Sequence, residues 1–230
     1  MKAILFGATG MVGQGVLLEC LADPEMTTVL CVGRGPSGSK DPKVKDLVLP
    51  DLHDYSTAIP ELAGYDACFF CLGVSSAGMN EADYTRITHD LTLMAAQAVL
   101  KASPGATFIY VSGQSTDSSE KGGAMWARVK GRTENDLLKL GFAKAYMFRP
   151  GLIQPMKGIK SRTPMYRYFY AGLGWMLPLV KSVLPSSITT TERLGLAMLN
   201  AVRKGYETPV LETRDINKLA GPMEKIPLQL

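Results

Sequence analysis

The chain reads as an α/β protein built on a doubly wound parallel sheet, with a small and mostly helical C-terminal lobe. Three observations predict this. Short apolar, β-branched runs alternate along the chain with segments whose apolar residues recur at helical spacing. The second of them, residues 27–32, is a continuous apolar, β-branched run, as in a strand covered on both faces. The first of them leads straight into a glycine-rich turn, Gly7-Ala8-Thr9-Gly10-Met11-Val12-Gly13, that opens a helix. On this reading the 230 residues form one domain, with 1–151 as its core and 152–230 supplying the lobe and late core elements.

Each element has its own signal. Residues 3–6 are the first strand, and Val12, Val16, Leu17, Cys20 and Leu21 mark the helix after the glycine turn. Residues 27–32 form a second strand ended by Gly33, 44–49 a third closed by Pro50, and 67–72 a fourth closed by Gly73. A short helix is expected over 54–62. Tyr84, Ile87, Leu91, Met94, Ala95, Ala98 and Val99 line one face of a long helix over 83–101, stopped by Ser103-Pro104-Gly105. A fifth strand spans 107–111. After a polar loop over 112–123 come a helix over about 124–140 and a sixth strand at 145–148, ended by Arg149-Pro150-Gly151. Beyond it the pattern shifts to a segment containing proline and arginine (154–164), then to helices over 165–184 and 190–203.

Composition narrows the class. With 46% hydrophobic and 20% charged residues the chain is of ordinary globular make-up. Its charge of +4 comes from 25 basic against 21 acidic residues without a basic block, which gives no footprint for nucleic acid. The glycines interrupt the N-terminal apolar run too early for a secretory leader, so a cytoplasmic protein is expected. The longest apolar stretch, 171–180, contains Pro178 and is too short to span a bilayer; it reads as a core helix, or else as an exposed apolar surface for substrate or partner. Cys20, Cys31, Cys68 and Cys71 sit inside apolar elements and behave as small hydrophobes. Cys68 and Cys71 have CxxC spacing, but positions three apart on a strand face opposite sides. With only His53 and His89 available, no metal site is expected.

The glycine turn carries the functional signal. Gly7 allows the tight turn, Gly10 leaves out the Cβ that would block a pyrophosphate, and Gly13 lets helix and strand approach closely. The anion then sits at the helix N-terminus, so a dinucleotide ligand is expected. After the second strand the chain has Gly33-Arg34-Gly35, with no acid before Asp41. A carboxylate there would bond a ribose 2′-hydroxyl, whereas the guanidinium fork of Arg34, with Lys40 nearby, suits a 2′-phosphate. NADP(H) is therefore preferred over NAD(H).

The order Gly7-x-x-Gly10-x-x-Gly13, Cys71-Leu72-Gly73, Tyr110-Val111-Ser112, Lys130 and Arg149-Pro150-Gly151 resembles the short-chain dehydrogenase/reductase superfamily. The GxxGxxG form and Phe148-Arg149-Pro150-Gly151 resemble its atypical, NAD(P)-dependent epimerase/dehydratase-like branch. Together with Cys71-Leu72-Gly73 and the segment from Trp126 to Gly131, they are most similar to the Tat-interactive-protein-like oxidoreductases. The resemblance implies a Rossmann fold and a cofactor held by Gly7, Thr9, Gly10, Met11, Val12, Gly13, Arg34, Asp51, Leu52, Cys71, Leu72, Gly73, Val74, Lys130 and Pro150. Asp51-Leu52 resembles the pair at the adenine edge, and Gly73 and Val74 would pass under the ribose and pyrophosphate.

In active members a tyrosine four residues before the lysine exchanges the proton; here that position is Trp126. An indole N–H only donates and does not titrate in water. The candidate catalytic residues are therefore Lys130, which could hold the ribose or act as the base, Ser112 (with Ser115 as its alternative) and Trp126. Tyr84 or Tyr166 could supply a phenol from another element. Three functions follow from this reading: an NADP(H)-dependent oxidoreductase on a small molecule, a cofactor-binding sensor that presents a surface to a second copy or a protein partner, and an epimerase or isomerase.

Overall fold

A computed structural model describes residues 1–159 and 187–222. Its main sheet is parallel and has seven strands: β1 (Lys2–Phe6), β2 (Thr28–Gly33), β3 (Val44–Val48), β4 (Ala67–Phe70), β5 (Thr107–Val111), β6 (Lys144–Arg149) and β9 (Val210–Glu212). They lie in the order β3-β2-β1-β4-β5-β6-β9. Strand order therefore reverses between β1 and β4, and the crevice outside their carboxyl ends is where ligands bind in such sheets. A separate parallel pair joins β7 (Leu152–Gln154) to β8 (Ile188–Thr190).

Alternate strand residues feed two cores, one on each face. On one face Ala3, Leu5, Val29, Cys31, Phe69, Ile109 and Phe148 pack under α1 (Met11–Ala22), α5 (Thr191–Lys204) and α6 (Thr213–Ala220). On the other, Ile4, Phe6, Leu30, Val32, Phe70, Phe108 and Tyr110 pack under α3 (Leu91–Ala102) and α4 (Met125–Lys139). Burial on both faces is why β1, β2 and β4 lack polar alternation, whereas β3, at the sheet edge, carries the exposed Lys45 and Asp46. Cys68 and Cys71 fall in opposite cores, as strand geometry requires, and all four cysteines are free.

Helix α1 lies unusually close to α5. A Cβ added to Gly15 would come within 2.5 Å of the Thr191 Cβ, and one on Gly195 within 2.6 Å of the Glu19 Cγ. This contact fixes α1, and with it the glycine turn at its N-terminus.

Several expectations are corrected. Residues 54–62 form successive turns instead of a helix, with Ala58 N bonded to Tyr55 O at 3.0 Å. The reason is Pro60, which lacks an N–H and crowds the preceding turn. The long helix expected over 83–101 starts at α2 (Glu81–Thr85), where the Asn80 side chain accepts from Asp83 N. It then passes through a π-helical turn, Arg86–Asp90, before α3 begins. The strand β9 and the helix α6 were not anticipated; three residues are too few to show periodicity. The helix expected over 190–203 is α5, whereas the one expected over 165–184 lies outside the described residues.

Candidate functional site

The glycine turn closes at the carboxyl end of β1. Gly7 has φ +81°, and a Cβ there would lie 2.9 Å from the Cys71 carbonyl carbon and the Leu72 nitrogen. Its carbonyl accepts from Gly10 N at 2.9 Å. A Cβ on Gly13 would come within 2.0 Å of that same carbonyl oxygen, so the helix rests on the turn by backbone contact alone. Gly10 differs from both. It is the N-cap of α1, and its Cβ would meet nothing nearer than 3.4 Å. No side chain caps the helix, and no acid occupies its first turn. The positive end of α1 thus faces the crevice with no competing carboxylate, and the Gln14 amide ties down the Thr9 carbonyl at 2.9 Å. Met11 and Val12 follow in the first turn and pack partly against the core.

Across the crevice, Cys71 and Leu72 continue from β4. Burial pushes the Cys71 thiol far up, so it stays neutral. Gly73 has open space where a Cβ would be, and Val74 is 46% exposed. These residues line the same edge as the glycine turn.

A second cluster stands where β5, β6 and α4 meet. Trp126 and Lys130 are one turn apart on α4, both half-buried. The Lys130 ammonium donates to the Ser112 carbonyl, and a Cβ on Gly113 would touch both that ammonium and the Pro150 carbonyl. Burial pulls its pKa down to about 8, against an upward pull from Glu134. The Ser112 hydroxyl points the other way. It is buried and donates to Glu134 Oε1 at 2.5 Å, with the Phe148 carbonyl at 3.2 Å. Glu134, 1% exposed, also receives Arg149 Nε on both oxygens at 3.0 and 3.1 Å, and Arg149 Nη2 on Oε2. Arg149 reaches on to Ser118 and Glu212.

The other expected residues are spread more widely. Arg34 is exposed beyond β2, beside the crevice. Asp51 and Leu52 part company: the Asp51 carboxylate is exposed and accepts from His53 N at 2.9 Å and faces His53 Nδ1 at 3.1 Å, which holds its pKa low. Leu52 is buried in the core with Leu49 and Tyr55. Ser115 is exposed with φ +66°. Tyr84 is 2% exposed, and burial raises its phenol. Tyr166 lies outside the described residues. Among the described residues no group of three or more metal-ligating side chains exists.

No family model matches the chain. In sequence it is similar to the protein named fmp52, mitochondrial, of Emericella nidulans, with 29% identity over 73% of each chain. In structure it is similar to the Bordetella bronchiseptica enzyme WbmF in complex with NAD+, at TM-score 0.64 and 12% identity, covering 94% of this chain and 76% of that one. It is likewise similar to the ADP-L-glycero-D-manno-heptose-6-epimerase of Helicobacter pylori, at TM-score 0.66 and 12% identity, covering 95% and 80%. The likeness shows the fold, a Rossmann-like α/β fold on a seven-stranded parallel sheet.

The expectation of a cytoplasmic protein is overturned, because the relatives carry the word mitochondrial in their names. An apolar leader is a signal for secretion, whereas mitochondrial addresses are amphipathic and arginine-rich. Among the described residues, no helix is long and apolar enough to cross a membrane. The sequence reasoning also passed over Glu134. Its signal was present: Lys130, Glu134 and Leu137 share one face of α4, and an acid on the face that carries a buried leucine calls for a cationic partner.

Proposed function

We propose that the chain binds a nicotinamide dinucleotide across the crevice between β1 and β4, favours NADP(H) over NAD(H), and acts as an oxidoreductase on a small molecule. One observation carries this reading. At Gly10 alone of the three loop glycines the missing Cβ serves no contact within the protein, and it lies at an uncapped helix N-terminus. A phosphate fits that gap. The NAD+ held by WbmF, a protein of the same fold, supports the same ligand class.

The Gly10–Gly13 segment would hold the pyrophosphate through backbone N–H groups, and Arg34 would take a 2′-phosphate. Gly73 and Val74 would lie along the ribose and pyrophosphate. Lys130 would bond the nicotinamide ribose and place positive potential where negative charge develops on a substrate oxygen. When bound, the cofactor supplies hydride transfer. Trp126 can donate a hydrogen bond but cannot give up its proton, so proton exchange falls to Lys130, whose pKa near 8 suits a group that works close to neutrality.

A titration of the purified protein with NADPH and with NADH, followed by cofactor fluorescence, tests the binding. Tighter binding of NADPH is expected, and failure to bind either would sink the reading. A panel of aldehydes, ketones and quinones then tests turnover, which Lys130→Met should abolish. The Ser112 hydroxyl, committed to Glu134, favours a second reading. With Trp126 unable to titrate and the Ser112 hydroxyl committed, the chain would bind the dinucleotide as a sensor, and NADPH binding with no turnover across the panel would support it.

A further inference from the structure

Glu134 occupies a position that the binding reading does not use. It is buried to 1% exposure on α4, one turn after Lys130, and both carboxylate oxygens are engaged. Ser112 links the two residues: its hydroxyl donates to Glu134 while its carbonyl accepts from the Lys130 ammonium. Arg149 holds Glu134 from β6 and is itself held by Ser118 and Glu212. The result is a closed chain of contacts from α4 through the end of β5 and back to α4.

We propose that Glu134 is a positioning residue for Lys130, pinning the Ser112 carbonyl that aims the ammonium and setting the potential in which that ammonium titrates. The inference rests on the reading of Lys130 as the cofactor-contacting lysine. A purely structural ion pair would account for Arg149 and Glu134, but not for the hydroxyl of the residue whose carbonyl holds the lysine being spent on the same carboxylate. A buried carboxylate one helical turn away also favours the charged lysine, opposing the burial that disfavours it.

The groups around the ammonium fix the direction of the effect. On its own helix stands Glu134; from β6 comes Arg149, with Glu212 on its far side. From the end of β5 comes the Ser112 carbonyl, which accepts from the ammonium, and Gly113 follows it beside the ammonium. Replacing Glu134 by glutamine removes the acceptor charge and leaves Arg149 opposed only by the half-exposed Glu212 among its described charged partners. Both changes lower the pKa of Lys130.

The test follows the pH dependence of Lys130 acylation by acetic anhydride, read by peptide mass spectrometry on the protein with no dinucleotide added. The native midpoint is expected at about 8. In Glu134→Gln it should move down by about one pH unit, so that at pH 8 the neutral fraction rises from about one half to about nine tenths. Should that variant fail to fold, Glu134→Asp keeps the charge but withdraws it by one methylene, and its midpoint should move the same way by less. A folded variant that is less stable, yet titrates Lys130 at the native midpoint, overturns the proposal and leaves Glu134 a structural ion-pair partner. Because the readout needs no cofactor, a shifted midpoint in a protein that binds neither NADPH nor NADH would uphold the proposal while removing the function assigned to Lys130.

Discussion

Two glycines of the turn, Gly13 and Gly10, separate folding from binding, and alanine at each position should show it. At Gly13 an added Cβ lies 2.0 Å from the Gly7 carbonyl oxygen and 2.6 Å from its carbon, so an ordinary contact requires a shift of about 1.4 Å. Neither partner can yield: Gly7 is itself pressed against Cys71 and Leu72, and α1 is pressed against α5 at Gly15. Overpacking of a close-packed contact costs about 1–3 kcal/mol, and rigid backbone on both sides puts Gly13→Ala at the upper end. For a chain of this size that loss lowers Tm by about 6–12 °C. At Gly10 the added Cβ meets nothing within the protein nearer than 3.4 Å, and alanine as N-cap costs about 0.5–1 kcal/mol. Its methyl instead enters the space assigned to phosphate, so NADPH should bind at least about tenfold more weakly, a loss of about 1.4 kcal/mol. Urea denaturation gives the stability and a fluorescence titration gives the affinity. If Gly13→Ala proved as stable as the native chain, or Gly10→Ala bound NADPH as tightly, the assignment of the turn would be wrong.

Arg34→Glu should weaken NADPH binding by more than about tenfold while changing NADH little, since a carboxylate repels a 2′-phosphate and accepts from a 2′-hydroxyl; equal losses for the two would remove the preference. Trp126→Tyr restores a phenol one turn before Lys130 and should raise turnover of carbonyl substrates, measured as NADPH oxidation, whereas unchanged rates would show that proton exchange is not the missing step. The acid limb of stability should depend on Asp23, whose carboxyl is held below its usual pKa first of all by Arg203 at 2.7 Å. A lowered folded-state pKa gives stability that is present above the unfolded value of about 4 and lost as pH falls through the folded one. Arg203→Gln should therefore flatten the fall in urea midpoint between pH 4 and pH 2, and an unchanged slope would count against the pair.

What was legible in the sequence was what neighbouring residues decide together. The run Ala3 to Phe6 and the glycines at 7, 10 and 13 lie within eleven positions, and their spacing alone specifies strand, turn and helix. That the sheet is parallel followed from alternation, since parallel strands need crossovers. Contacts between distant residues left no such mark. Strand β9 is three residues long and is a strand because it pairs with Met147–Arg149, more than sixty positions away. Leu52, placed at the adenine edge by resemblance, is packed with Tyr55 and Leu62, a contact that no local pattern marks.

Ser112 shows why the same limit bears on chemistry. The resemblance offered its hydroxyl to a substrate carbonyl, and the partners that engage it stand 22 and 36 positions away. A hydroxyl has one hydrogen, and here Glu134 accepts it. Ser112 can still take a hydrogen bond at its lone pairs but cannot donate to a substrate carbonyl without leaving a buried carboxylate short of a partner, at a cost of about 1–3 kcal/mol or more. Trp126 donates without titrating, and Tyr84 is buried. Of the described residues considered for proton exchange, Lys130 alone is held close to neutrality, with a pKa of about 8. If the chain turns over a carbonyl substrate, its rate should therefore follow the ionisation of Lys130, and a pH profile flat from 6 to 10 would mean that the proton comes from elsewhere.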